Sequence, residues 1–182
     1  MFDFIKNSYK TVLVVLFGFL VLVLWASWRE SEESINQIDD FEGCAFNYGV
    51  VSIHPKTCLT PEGDFFVKYS LDDSRVEIDL DKEWPINKGK LLVSGKITGQ
   101  WFFEASFVAK LWDESGRDIS QGLAEAKEDW MTSDLIPFEV VFEIPATWQK
   151  ERAILVLVKD NPSGLPEHED ALALPIKIRH VF

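Results

Sequence analysis

Basic residues are scarce in this sequence: 18 lysines and arginines stand against 30 aspartates and glutamates, a formal charge of −12. A chain that neutralises phosphates needs the opposite balance, so the composition excludes nucleic acid as a partner. It argues equally against docking on anionic headgroups through a basic patch. The plain reading of the acid surplus is a solvated surface. Histidine is also rare, with His54, His168 and His180 scattered along the chain. No Gly-x-Ser-x-Gly elbow and no Gly-rich phosphate loop occurs, and no second carboxylate stands at a recognisable spacing from Glu104. The reading is therefore not an enzyme, and no cofactor is implied. The two cysteines, Cys44 and Cys58, make a poor zinc site, because only His54 could join them where structural zinc takes four ligands. The segment "KDNPSGLPEHED" holds oxygen ligands at Asp160, Asn161, Glu167, Glu169 and Asp170. It departs from the EF-hand spacing, and turn chemistry accounts for Asp160, Asn161, Pro162 and Gly164 without an ion.

What the sequence does have is one long apolar run. Residues 11–28, "TVLVVLFGFLVLVLWASW", carry no charge between Lys10 and Arg29. As a helix they rise roughly 27 Å, close to the hydrocarbon thickness of a bilayer. Trp25 and Trp28 mark one end, where amphipathic rings favour the headgroup level. A cleavable signal peptide is the rival, yet cutting after Ala26 or Ser27 places Leu24 or Trp25 where a small residue is wanted. A retained anchor that meets the lipid bilayer through residues 11–28 is favoured. Lys6, Lys10 and the amino terminus outweigh Arg29 in positive charge, so 1–10 is expected to be a cytoplasmic tail. The remainder then faces outward from the cell membrane. Residues 29–43, "RESEESINQIDDFEG", read as a charged, solvated linker, with a short helix as the alternative.

Residues 44–69 contain both cysteines. Outside the membrane such an isolated pair is expected to oxidise, and closing a loop of this length stabilises by roughly 3 kcal/mol in the chain-entropy model. "TPEG" at 60–63 has proline second and glycine fourth, which suits a type I turn. The expectation is a small disulfide-stapled hairpin over about 50–67. The segment resembles a short two-cysteine motif that recurs in bacterial envelope proteins.

From residue 76 onward, short alternating runs are separated by Gly, Pro, Asn and Asp. "VEIDL", "KLLVSGKIT", "SFVAKLWD", "PFEVVFEIP", "AILVLVKD" and "ALALPIKIRHV" fit period two, and no long helical stretch intervenes. This predicts a mainly β fold, an antiparallel sandwich of about seven strands. "QGLAEAKED" at 121–129 is balanced between good helix formers and alternation.

Over residues 75–182 the chain resembles the immunoglobulin-like domain of bacterial spore-germination proteins. The residues that carry the likeness are Gly-x-Trp-Phe-x-Glu at 99–104, Asp-Trp-Met at 129–131, Pro-Phe at 137–138 and "KDNPSGLPE" at 159–167. The resemblance implies an immunoglobulin-like sandwich, strand at 121–128, and a role in recognition or scaffolding.

The aromatic stretch "GQWFFEASFVAKLWD" at 99–113 bears on that role. Read as one strand, it puts Trp101, Phe103 and Phe107 inward as core aromatics. Phe102, Glu104 and Trp112 then share the opposite face as a candidate recognition strip, with Glu104 hydrogen-bonded near the sheet rim. A bulge near Gly99 would upset this parity. The functional expectation is a membrane-anchored, outward-facing binding module whose partner is an envelope protein or a polysaccharide. The alternative is a structural spacer or an assembly subunit of a membrane complex.

Overall fold

The computed structural model describes residues 40–181. The expected tail 1–10, the apolar run 11–28 and residues 29–39 lie outside the described residues. Among the described residues no helix is long and apolar enough to cross a membrane.

The chain enters through helix α1 (Phe41–Tyr48), whose N-cap Asp40 accepts a hydrogen bond from Gly43 N at 2.7 Å. A three-stranded sheet follows, made of β1 (Ser52–Ile53), β2 (Lys56–Leu59) and β3 (Phe65–Val67) in that order. Cys44 on α1 is disulfide-bonded to Cys58 on β2, and both are fully buried. The turn between β2 and β3 forms as its residues suggest, with Gly63 N donating to Thr60 O at 3.0 Å. Two expectations change here. Helix covers 41–48, across the boundary drawn between linker and hairpin, because Asp40 caps it and Glu42 sits in its first turn. The hairpin itself is three-stranded, and Cys44 reaches it from the helix.

The larger sheet is built on β6 (Lys90–Thr98). It pairs antiparallel along its whole length with β9 (Leu135–Glu143). On its other edge it meets β5 (Glu83–Asn87) and, further along, the two-residue β4 (Val76–Glu77). From β5 the order runs through β11 (Ala171–His180), β10 (Arg152–Val158), β7 (Ser106–Trp112) and β8 (Asp118–Ala126) back to β9. Strand thus occupies most of 121–128. The expected open antiparallel sandwich is corrected in two ways. Seven strands close into a ring, and β5 lies parallel to β11. Closure uses two short seams of two residue pairs each, β5 with β6 and β8 with β9. At the second seam Gly122 is decisive: a Cβ there would sit 2.7 Å from both Val140 Cγ2 and Val141 O. Only glycine lets the two backbones approach so closely.

Alternation fills the ring. Leu91, Val93 and Ile97 of β6, Phe107, Ala109 and Leu111 of β7, and Phe138, Val140 and Phe142 of β9 point inward and are almost fully buried. Strands β10 and β11 are buried on both faces, because β3 covers their outer side. Phe65 and Val67 pack there against Ile154, Val156, Ala171 and Ala173.

Candidate recognition surfaces

The aromatic stretch does not run as one strand. Gly99–Trp101 forms a single 3-10 turn. A Cβ on Gly99 would sit 2.1 Å from Thr132 O and 2.2 Å from Trp130 O, so the loop after β8 seats directly on this glycine. Trp101 O accepts from Asp160 N at 3.1 Å, which draws in the loop after β10. Phe103 and Ser106 then exchange backbone hydrogen bonds around Glu104 (φ 51°) and Ala105 (φ 63°). Two successive left-handed residues make a type I′ turn.

That turn resets the parity, and the face assignments change with it. Trp101 and Phe107 are core aromatics, meeting edge-to-face with centroids 6.4 Å apart. Phe102, placed in the recognition strip by alternation, is buried and packs on the Phe107 ring at 5.1 Å. Phe103, placed in the core, is 42% exposed. Glu104 stands exposed at the tip of the turn rather than hydrogen-bonded near the sheet rim. Trp112 does point away from the ring interior, but the small sheet covers it. It is half-buried, meets Phe65 edge-on at 6.3 Å, and donates from Nε1 to Asp118 Oδ1 at 2.7 Å. Phe102, Glu104 and Trp112 therefore form no common strip.

The loops beside Trp101 are held by charge. Arg75 donates to both oxygens of Asp73 and to Asp170 Oδ2, and its guanidinium lies 5.7 Å from the Trp101 ring centroid. The Arg75 hydrogen bonds hold Asp73 below the usual carboxylate range, against the opposing effect of burial. Asp170 is thus engaged by an arginine, while Asn161 Nδ2 donates to Leu165 O and Ser163 Oγ to Asn161 Oδ1. Among the described residues no group of three or more His, Cys, Asp or Glu side chains is placed to hold a metal. His168 Nδ1 lies 3.0 Å from Ser163 Oγ, and His180 Nε2 lies 2.9 Å from Lys150 O. The three histidines stand on different segments.

A second charged turn yields a pH prediction. Asp113 is buried, which raises its pKa, yet hydrogen bonds from the Arg117 side chain and from the backbone N–H groups of Arg117 and Ser115 outweigh burial. The net shift is downward from 3.8. A depressed folded-state pKa contributes stability that is complete above the unfolded value and lost as pH falls through the folded one. Urea midpoints should therefore hold near neutrality and fall below pH 3.8, with Asp73 acting in the same sense. Asp113→Asn should flatten part of that acid limb. An unchanged limb in the variant would remove Asp113 from the account.

A different feature is exposed and contiguous. Leu92 of β6 pairs directly with Val141 of β9, and Leu123 of β8 with Val108 of β7. Their exposures are 48%, 46%, 55% and 41%. The close pass of Gly122 over Val141 joins the two pairs into one row across four strands. Ion pairs Lys90–Glu143 and Lys127–Glu139 lie in neighbouring positions. In register, Val108 continues to Val158 and Ala171, where the small sheet takes over as cover. In the alternating pattern Leu92 falls on the outward face with Ser94 and Lys96, which is the clearest signal of this row in the sequence.

No protein-family model, curated protein or solved structure matches the chain.

Proposed function

We propose that this protein is a membrane-anchored, outward-facing, non-catalytic module of the bacterial cell envelope that docks a protein partner through the flank of an immunoglobulin-like domain. The order of strands supports the fold. Strands β8, β7, β10 and β11 are consecutive neighbours, β6 pairs with β9, and β5 runs parallel to β11. Both closing seams are short, so the ring is compatible with an immunoglobulin-like connectivity. The motif that carried the resemblance to germination-type domains supports it too, since Gly99 gives the close loop approach, Trp101 and Phe102 the core, and Glu104 the turn.

The observation that carries the function is the exposed aliphatic row. Apolar side chains rimmed by ion pairs are what a protein partner covers. Sugar rings call instead for exposed aromatic faces, and the row of Leu92, Val141, Leu123 and Val108 is aliphatic throughout. A protein partner is therefore preferred to a polysaccharide. The spacer reading draws on the burial of Trp101, Phe102 and Phe107.

The test is a photo-reactive residue at position 141 in the full-length chain on intact cells. A protein adduct is expected, and Leu123→Asp should reduce it about tenfold by placing an unpaired charge in the interface. The same variant should shift stability by no more than about 0.5 kcal/mol, as an exposed position. Absence of any adduct, or an adduct indifferent to Leu123→Asp, sinks the docking reading and leaves the spacer.

A further inference from the structure

We infer that residues 46–53 make a second, interfacial contact with the same bilayer that the apolar run 11–28 enters. The inference rests on the reading of 11–28 as a retained anchor. Phe46 is 89% exposed, Tyr48 48%, Val50 44%, Val51 69% and Ile53 65%. Five of eight consecutive residues are thus large, apolar and uncovered. Summed over the five, on the order of 600 Å² of side chain is uncovered, and Phe46, Val51 and Ile53 are the most exposed of them.

The local structure forces the exposure of Phe46, Val51 and Ile53. Cys44 is fully buried toward β2, held by its disulfide to Cys58. Phe46 lies two residues on, about 200° round the helix, and so faces away. Gly49, with φ 83°, ends α1 and turns the chain into β1. There Val51 and Ile53 share a face, two residues apart. Strand β1 pairs with β2 on one side and is the open edge of the small sheet.

The position of the patch in the chain points to its occupant. Eleven residues, 29–39, separate Trp28 from Asp40. Fully extended they reach at most about 40 Å, a short tether. Such tethering makes a weak contact effectively intramolecular. Aromatic and aliphatic side chains together suit the headgroup boundary. Charge does not oppose entry: no charged residue occurs from Gly43 to Ile53. Glu42 just before it is paired with Lys68 at 2.7 Å, and Lys56 stands opposite Ile53 in the ladder. With the chain at −12, attraction to anionic lipid supplies nothing, so the contact is apolar and indifferent to salt.

The experiment places the full-length chain in phosphatidylcholine nanodiscs doped with a phospholipid bearing a diazirine near the glycerol end of its acyl chain. After irradiation, adducts are mapped by peptide mass spectrometry. Adducts are expected in 11–28 and in 46–53, changing by less than about twofold in high salt. The triple variant Phe46→Ser, Val51→Ser, Ile53→Ser should lose the second set about tenfold while keeping the first. Its exposed positions leave the disulfide and core intact. Labelling of 11–28 with none at 46–53 overturns the inference and spares the anchor. Absence of adducts at 11–28 defeats the anchor reading, and this inference falls with it.

Discussion

Replacing Trp101 with alanine lowers the unfolding free energy by about 3–5 kcal/mol, the range for truncating a large aromatic in a packed core. The side chain is 1% exposed and sits at the end of the ring, edge-on to Phe107 and beneath the Arg75 guanidinium. Three segments lean on it. Its backbone oxygen takes the N–H of Asp160, Gly99 two residues earlier holds the 130–132 loop, and Arg75 ties Asp73 and Asp170 above it. Truncation leaves a cavity that these loops cannot fill without losing their mutual hydrogen bonds, so the upper half of the range applies. Trp112→Ala is the natural comparison. That ring is half-buried, touches Phe65 at its edge, and gives up one hydrogen bond to Asp118, which amounts to about 1–2 kcal/mol. Denaturant midpoints at equal slope measure both. If Trp112→Ala proves the more damaging, the contact between small sheet and ring, not the ring interior, dominates the stability.

How much of this was legible beforehand follows from what alternation can report. Period two tells which way a side chain points, and it read the inward faces of β6 and β7 correctly. It says nothing about which strand lies alongside, so the closed ring and the parallel neighbours β5 and β11 were out of reach. Strand β5 offers five residues with Pro85 at their centre, too little to declare a direction. Alternation also fails when a turn goes unnoticed. Type I′ turns normally announce themselves as Asn-Gly or Asp-Gly. Here Glu104 and Ala105 adopt the left-handed conformation without either signal, and the faces assigned to Phe102 and Phe103 were exchanged. Leu92, Leu123, Val108 and Val141 carried a weaker trace, as apolar residues on outward faces. Only the pairing of their strands turns four separate exceptions into one row.

Removing the Cys44–Cys58 disulfide, by reduction or by replacing both cysteines with alanine, costs about 3 kcal/mol for the loop it closes. Where that loss appears is the informative part. The bridge spans 14 positions and joins α1 to a sheet whose strands are two, four and three residues long. A sheet of that size is marginal on its own. Its remaining attachments include the packing of Phe65 and Val67 on β10 and β11, the Phe65 contact with Trp112 of β7, and the hydrogen bond from Ser70 N to Ala173 O at 2.8 Å. The ring has a separate core from Trp84 to Ile178 that involves neither cysteine. Hydrogen exchange after reduction should therefore show amides of 41–59 opening, while those of β6, β7 and β9 keep their protection. Strands β10 and β11 should respond in between, since Ile154 and Val156 lose cover on their outer side but keep their neighbours in the ladder. A uniform loss of protection through β6 and β9 would mean that small sheet and ring unfold as one unit. Unchanged protection at 51–59 would mean that docking of β3 alone holds the small sheet, and the bridge is dispensable to it.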